Sequence, residues 1–427
     1  MTTARTNDTQ DTEQPKSHHR RSWLKGIGIG AASLGAGALA TKAYIDSNDG
    51  TQTKQNAYGT HQAGIVTPQP AAAIIAVFDV LAKDKKGFEK LLRTLTDRIT
   101  FLTQGGLLPQ IDSKFPPLNS GIMGDKVFPD NLTMTVSLGA SVFDGRFGLT
   151  NLKPLHLQDM QPFPNDALEP ETTDGDLSIQ ICSNTAETCI HALRDIIKNT
   201  PDLMTMRWQM DGFLPPHMIR KLGKDTMRNL LGFKDGTSNV DAKNEDMLNE
   251  LIWVSDQVNS ASEPAWAKGG SYQVVRLIRN RVEFWDRTPL QEQETIFGRH
   301  KLSGAPLGKP NEHDDPDFAS DPDGKRIPHD SHIRLANPRT PETRKNLILR
   351  RGYNYSQGLS KSGQLNMGLL FVCYQSNLLN GFLTVQGRMN GESLEEYIKP
   401  FGGGYFFSLP GFAKGEYLGQ GLIQAAV

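Results

Sequence analysis

Four stretches of the chain share one pattern: a short strand-type run of apolar residues, then apolar positions at helical spacing. The first run is Ala73-Ile74-Ile75-Ala76-Val77-Phe78, followed by Phe88, Leu91, Leu92, Leu95, Ile99 and Leu102 on one predicted helix face. The second, Leu177 to Cys182, alternates, and Ile190, Leu193 and Ile197 follow it. The third reads as one long β-rich stretch from Tyr272 to Trp285, leading into a polar helix-like segment over 289–298. The fourth is Leu369 to Tyr374, with helical character from Leu379 to Met389. Met134, Val136 and Leu138 predict one more strand, and Gly402-Gly403-Gly404 predicts a turn into a last strand. Units in two pairs predict an α+β fold of two βαββαβ halves, each an antiparallel sheet with helices on one side. Another α+β arrangement fits the periodicity equally, and neither would by itself fix function. The expected halves are 71–215 and 216–427, with residues 41–70, rich in Thr, Gln, Asn, Gly and Pro, as a linker.

The first 40 residues read as an address. Residues 1–17 are polar, His19-Arg20-Arg21-Ser22-Trp23-Leu24-Lys25 is basic, and Gly26 to Thr41 is an uncharged stretch too short and glycine-rich to span a bilayer comfortably. A basic segment, an apolar segment and the small-residue site Ala38-Leu39-Ala40 describe a signal peptide, with cleavage expected after Ala40. Arg20-Arg21 and the residues after them resemble the twin-arginine export motif, with Trp23 where phenylalanine is usual. A general secretory signal that holds two arginines is the alternative. Twin-arginine export carries folded proteins, so it predicts a cofactor acquired in the cytoplasm and a periplasmic destination.

Composition narrows the field. With 37% hydrophobic and 22% charged residues, the chain has the make-up of a globular protein with a large core. A net charge of −1 gives no electrostatic footprint for nucleic acid. Three cysteines make no disulfide framework. Cys182 and Cys189 could pair in an oxidising compartment; otherwise all three serve as small apolar fillers.

Three segments carry candidate chemistry. In Gly232-Phe233-Lys234-Asp235-Gly236-Thr237-Ser238-Asn239, two glycines bracket an acid, so backbone can approach a ligand closely; an ordinary Asp-Gly turn reads the same way. Asp330-Ser331-His332-Ile333-Arg334-Leu335-Ala336-Asn337-Pro338-Arg339 sets a single imidazole among apolar residues. Such a histidine can be the axial ligand of a haem or a structural residue. Leu347-Ile348-Leu349-Arg350-Arg351 puts at least one guanidinium at a buried strand end, where it needs an anionic partner. The acidic residues Asp314, Asp315, Asp317, Asp321 and Asp323 form no complete calcium loop and read as a solvated loop.

Together, in this order, the three segments resemble the dye-decolourising (Dyp-type) haem peroxidase family, over residues 65–425. Gly232 to Gly236 matches its GxxDG signature, which continues through Thr237, Ser238 and Asn239. The runs Asp330 to Arg339, Leu349 to Tyr353, Met367 to Tyr374 and Gly402 to Phe407 are similar to the exported deferrochelatase branch, which accompanies a ferrous-iron uptake system. The resemblance implies two ferredoxin-like halves of the dimeric α+β barrel type and one haem b per chain. It implies His332, rather than the nearby His329, as proximal iron ligand, with Asp235 and Arg350 as the distal catalytic pair. Gly236, Thr237, Ser238, Asn337, Pro338, Arg339 and Arg350 are expected around the haem. Hydrogen peroxide and an unidentified reductant are the implied substrates, a homodimer the expected assembly, and the export machinery and iron-uptake components the expected partners. A variant role is release of iron from haem with the porphyrin kept intact. Trp208, Trp253, Trp266 and Trp285 are electron-relay candidates by residue type only, against a core-packing role for each.

Overall fold

The computed structural model describes residues 52–108, 112–117, 119–216, 226–255 and 263–426. The export segment and the first part of the expected linker lie outside them. In the N-terminal half, strand β1 (Ala72–Val80) leads into helix α1 (Lys85–Gln104). A two-stranded ribbon follows, β2 (Gly106–Leu107) with β3 (Lys126–Val127). Then come β4 (Thr133–Gly139), β5 (Leu177–Ser183), α2 (Ala186–Asn199) and β6 (Met204–Phe213). The spatial order is β4-β5-β1-β6, all antiparallel, which is the ferredoxin-like arrangement.

Local signals explain the helices. Asp84 and Thr185 cap α1 and α2 by accepting from the amides of Gly87 and Thr188. Helix α1 buries all six predicted positions. Helix α2 is rotated from its predicted phase: Cys189, Ala192, Leu193 and Ile196 are buried, whereas Ile190 and Ile197 are 44% and 40% exposed. The buried stripe runs i, i+3, i+4, i+7 from Cys189, leaving the two isoleucines at its margin.

The C-terminal half repeats the plan with longer insertions. Helix α3 (Glu245–Leu251) precedes β7 (Ser271–Asn280). The expected long β stretch ends there, because residues Val282–Trp285 turn into helix α4, followed by α5 (Leu290–Phe297) and the short α6 (His332–Ala336). Next are β8 (Leu349–Arg350), β9 (Tyr353–Leu359), β10 (Leu365–Gln375), α7 (Thr384–Met389), β11 (Ile398–Ser408) and α8 (Gln420–Ala425). The order β11-β7-β10-β9 matches that of the first half. Gly402-Gly403-Gly404 lies inside β11 and not in a turn before it. At Gly403, φ is 126° and a Cβ would meet the Val275 carbonyl oxygen at 2.0 Å, so glycine permits both the strand's bulge after Pro400 and its close approach to β7.

The two half-sheets join at both edges. β4 pairs with β11 through Phe406 to Ser408, and β6 meets β9 at Phe213 and Asn354. With β7 also paired to β10, eight strands close into a ring, and β8 attaches to β10. Residues 52–70, expected as linker, are packed onto this ring. Gln62 is buried and bonded to the Val136 amide and to the Val136 and Leu409 carbonyls, each at 2.8 Å, and His61 stacks on Trp253 at 3.8 Å. Their polar composition concealed the packing because their polar groups find partners inside. The three cysteines are free and buried. No helix among the described residues is long and apolar enough to cross a membrane.

Asp174 sits where the halves meet. Its amide donates to Gly403 on β11, and its carbonyl accepts from the Trp208 indole on β6. Burial pushes its carboxyl up to about 6, despite hydrogen bonds from the Met160 amide. A folded value raised above the ordinary 3.8 means that stability is full below 3.8 and is lost as pH rises through about 6. Asp174→Asn keeps the acceptor for Met160 and tolerates the left-handed φ of 53°. It is expected to stabilise the protein by about 1–2 kcal/mol at neutral pH. Thermal unfolding should show that gain vanishing below pH 3.8, and a pH-independent difference would contradict the assignment.

Candidate active site

The loop 231–239 is held by its own side chains. Asn229 accepts from the Leu231 and Phe233 amides, and the Asp235 amide donates to the Met227 carbonyl at 2.7 Å. Gly236 has φ 132°, a conformation L side chains rarely adopt, so the backbone can reverse direction just after Asp235. Outside the loop, Glu312 fastens it. Its carboxylate meets Lys234 Nζ at 2.6 Å, Thr237 Oγ1 at 2.9 Å and the Thr226 hydroxyl. Burial alone would raise the Glu312 carboxyl, but these bonds outweigh it and hold it down at about 2.

Arg350 ends β8 and is clamped by its backbone. The Asn239 side-chain amide donates to the Arg350 carbonyl at 2.8 Å and accepts from the Arg350 amide at 2.9 Å. The guanidinium therefore reaches Asp235, Nη1 to Oδ1 at 2.7 Å, and the Ser238 carbonyl at 3.3 Å. Its neighbour Arg351 points the other way, is buried, and donates to the Thr67 carbonyl.

His332 is the first residue of α6. Its Nδ1 lies 2.8 Å from Oε2 of the buried Glu392, which fixes the ring and leaves Nε2 facing away from that carboxylate. Burial lowers the imidazole's affinity for a proton, but the charge and hydrogen bond of Glu392 prevail, and the net shift is upward from 6.5. Arg334, on the same helix, turns to Asp321 and the Ile327 carbonyl. His329 is exposed.

One cavity of about 240 Å³ collects these groups: Asp235, Gly236, Thr237, Ser238, His332, Asn337, Arg339 and Arg350 all line it. Pro338, between Asn337 and Arg339, does not. Ile278, Phe297, Ile333, Leu369, Phe371 and Met389 supply apolar wall. Arg339, at φ 60°, donates to Ser238 Oγ at 2.8 Å, tying the histidine segment to the aspartate loop. Arg299 also lines the cavity, and burial with the nearby Arg339 and Arg350 charges pulls its guanidinium down to about 10. A second cavity of about 50 Å³ shares Asp235, Gly236 and Arg350. Apolar walls, one carboxylate-held imidazole and two guanidinium groups bonded only to carbonyl or hydroxyl oxygens, Arg299 and Arg339, suit a haem, which brings an iron, an apolar macrocycle and two carboxylates. The acidic residues after Asn311 serve the loop itself: Asp314 accepts from the Asn311 amide and Asp321 from those of Arg326 and Ile327. Among the described residues no group of three His, Cys, Asp or Glu is placed to hold a bare metal ion.

Two functional candidates escaped the sequence. Glu392 lies far along the chain from His332, in an Asn-Gly-Glu turn that resembles any loop. The rule that an iron-binding imidazole needs a carboxylate or carbonyl behind it calls for such a group, but not which of the 47 acidic residues supplies it. Glu312 belonged to a loop that reads as solvent-facing.

Both halves match family models: Dyp-type peroxidase, N-terminal, over residues 62–214 and Dyp-type peroxidase, C-terminal, over 226–413. The Deferrochelatase of Yersinia pestis is 58% identical over 425 residues, covering 97% of each chain. That of Shigella sonnei is 57% identical over 414 residues, 95% of this chain and 97% of the relative. The crystal structure of a DyP-type peroxidase from Cellulomonas bogoriensis superposes with a TM-score of 0.78 at 33% identity, over 88% of this chain and 99% of that one. With family models matching both halves, and high identity running the length of its relatives, this chain belongs to the Dyp-type peroxidase family.

Proposed function

We propose that this chain is a haem b-dependent peroxidase, one haem per chain, that reduces hydrogen peroxide at the expense of organic donors. The observation that carries this reading is the pairing of charges around one apolar cavity: His332 with Glu392, and Asp235 with Arg350. A bound haem supplies the electrons that break the peroxide O–O bond. His332 Nε2 is the group that would hold its iron, with Glu392 strengthening the imidazole as a donor. Arg339 and Arg299 are the cations available to its propionates, and Gly236, Thr237, Ser238, Asn337 and Pro338 shape the surrounding backbone. Asp235 takes a proton from one peroxide oxygen and delivers it to the other, which leaves as water. Arg350 keeps the carboxylate oriented through its 2.7 Å bond and stabilises negative charge on the departing oxygen.

A second reading rests on the identity to proteins named Deferrochelatase. In it, haem is also a substrate whose iron is released with the porphyrin intact. Incubation with haem and analysis of tetrapyrrole and iron distinguishes the two: intact protoporphyrin with free iron supports release, and unchanged haem supports peroxidase action alone. In the same reading Arg20-Arg21 and the residues after them direct export to the periplasm, and a homodimer working alongside an iron-uptake system is the proposed assembly.

Haem supplied to the purified protein should give a Soret band that His332→Ala abolishes or shifts; no haem uptake by folded wild type would overturn the assignment. Glu392→Gln should retain the fold but weaken haem retention by about 10- to 100-fold, measured by transfer to an apo-globin acceptor. Asp235→Asn should slow reaction with peroxide by about 10²- to 10⁴-fold, and Arg350→Leu by about 10²- to 10³-fold. Stopped-flow traces that match wild type would deny both residues their roles.

A further inference from the structure

Of the four arginines that line the cavity among the described residues, only Arg276 meets a carboxylate that is fully buried. Its position follows from the sheet. Arg276, Ile278 and Asn280 on β7 and Leu369 and Phe371 on β10 line the cavity at two-residue spacing. Arg276 is opposite Phe371 and Ile278 opposite Leu369, so these side chains share one face. Arg350 pairs with Cys373 on the other side of β10, which sets it two strand spacings from Arg276, about 10 Å across the sheet. The charges that bear most on Arg299 are those of Arg339, Glu312 and Arg350. The cavity therefore has one cationic end at Arg299 and Arg339 and a separate cation at Arg276.

These two places are finished differently. Arg299 bonds the Gly304 and Glu312 carbonyls and Arg339 the Ser238 hydroxyl, which leaves both charges available to a ligand carboxylate. Arg276 already holds one: Nη1 meets Asp166 Oδ2 at 2.8 Å and Nη2 meets Oδ1 at 2.5 Å, with both side chains 1% exposed. That is the two-point geometry a guanidinium makes with a carboxylate ligand. The buried Arg276 Nε has no hydrogen-bond partner, so Asp166 is the anion that answers this charge. Asp166 belongs to a strap of the N-terminal half laid along β11. The amides of Ala167, Glu169 and Asp174 donate to the carbonyls of Pro400, Phe401 and Gly403, and the Phe163 amide holds Asp166 Oδ2 at 2.9 Å.

We propose that Asp166 fills a second carboxylate site on Arg276 and so makes the cavity select a haem that carries two carboxylates rather than four. The inference rests on the haem reading above. Protohaem has two propionates, which match Arg299 and Arg339, and two vinyl groups, which need no ion. Coprohaem has propionates in place of both vinyls. Its extra carboxylates meet a cation that is already paired, beside a second negative charge, in a buried wall where an unpaired ion is costly. Asp166 acts through Arg276 and is a positioning residue.

The test titrates the full chain, purified free of haem, with protohaem and with coprohaem, following the Soret band. Wild type should bind protohaem at least about tenfold more tightly. Asp166→Asn, similar in shape but uncharged, should move the ratio of the two dissociation constants about tenfold or more toward coprohaem, with circular dichroism unchanged. A merely structural role would weaken both haems together and leave the ratio in place. If Asp166→Asn does not fold alone, refolding with each haem replaces the titration. Coprohaem, which brings the missing carboxylate, should then yield more Soret-bearing protein than protohaem, and equal yields or none would overturn the proposal. Wild type that binds both haems equally, or a ratio unmoved in the variant, overturns the selection by Asp166 and leaves the haem reading standing. Wild type that takes up neither haem overturns that reading and the proposal with it.

Discussion

Closure of the sheet is the constraint on which the site depends. Each four-stranded half carries edges that would otherwise stay unpaired, and each finds its partner in the other half. The seams are slight, three residue pairs between β4 and β11 and one between β6 and β9. Side chains reinforce them: Ser137 bonds Ser408 across the first at 2.7 Å, and Asp174 links Trp208 to Gly403. Once the ring is closed, the loop after β6 brings Asp235, the insertion after β7 brings His332, β8 brings Arg350, and the turn before β11 brings Glu392. The four groups come from distant parts of the chain and have no local reason to meet.

Charge is held in pairs throughout this region. Arg276 and Asp166 are both almost wholly buried and bonded at 2.5 Å, beside the cavity they help to line. Glu312 gathers Lys234, Thr226 and Thr237, and Glu392 holds His332. Breaking such a pair leaves a buried charge without compensation, which costs more than the pair contributes. The cavity therefore keeps its shape by electrostatic tethers on its loops as much as by apolar packing. Arg350 and Asp235 line the same cavity but are more exposed than the Arg276–Asp166 and Lys234–Glu312 pairs, so a reacting molecule can reach them.

The sequence revealed the repeated half-sheet and the three motifs because both depend on local pattern. Strand and helix periods are written in neighbouring residues, and the Asp235, His332 and Arg350 segments each carry a recognisable context. It failed where tertiary partners decide. The Gly402-Gly403-Gly404 run lies in a strand because β7 approaches it closely, a fact no local turn preference contains. The phase of α2 follows the surface it covers, and the polar stretch 52–70 packs because Gln62 finds three backbone groups inside. Glu392 and Glu312 were invisible for the same reason: a carboxylate's function here is set by what faces it across the fold.

The central claim is that His332, oriented by Glu392, is the residue that holds haem in the cavity shared with Asp235 and Arg350. A crystal structure of the haem-loaded protein tests it most directly. The account predicts His332 Nε2 bound to the iron, Nδ1 still bonded to Glu392, and Asp235 and Arg350 paired over the other haem face. Iron held by a different side chain, or haem bound outside this cavity, would contradict it.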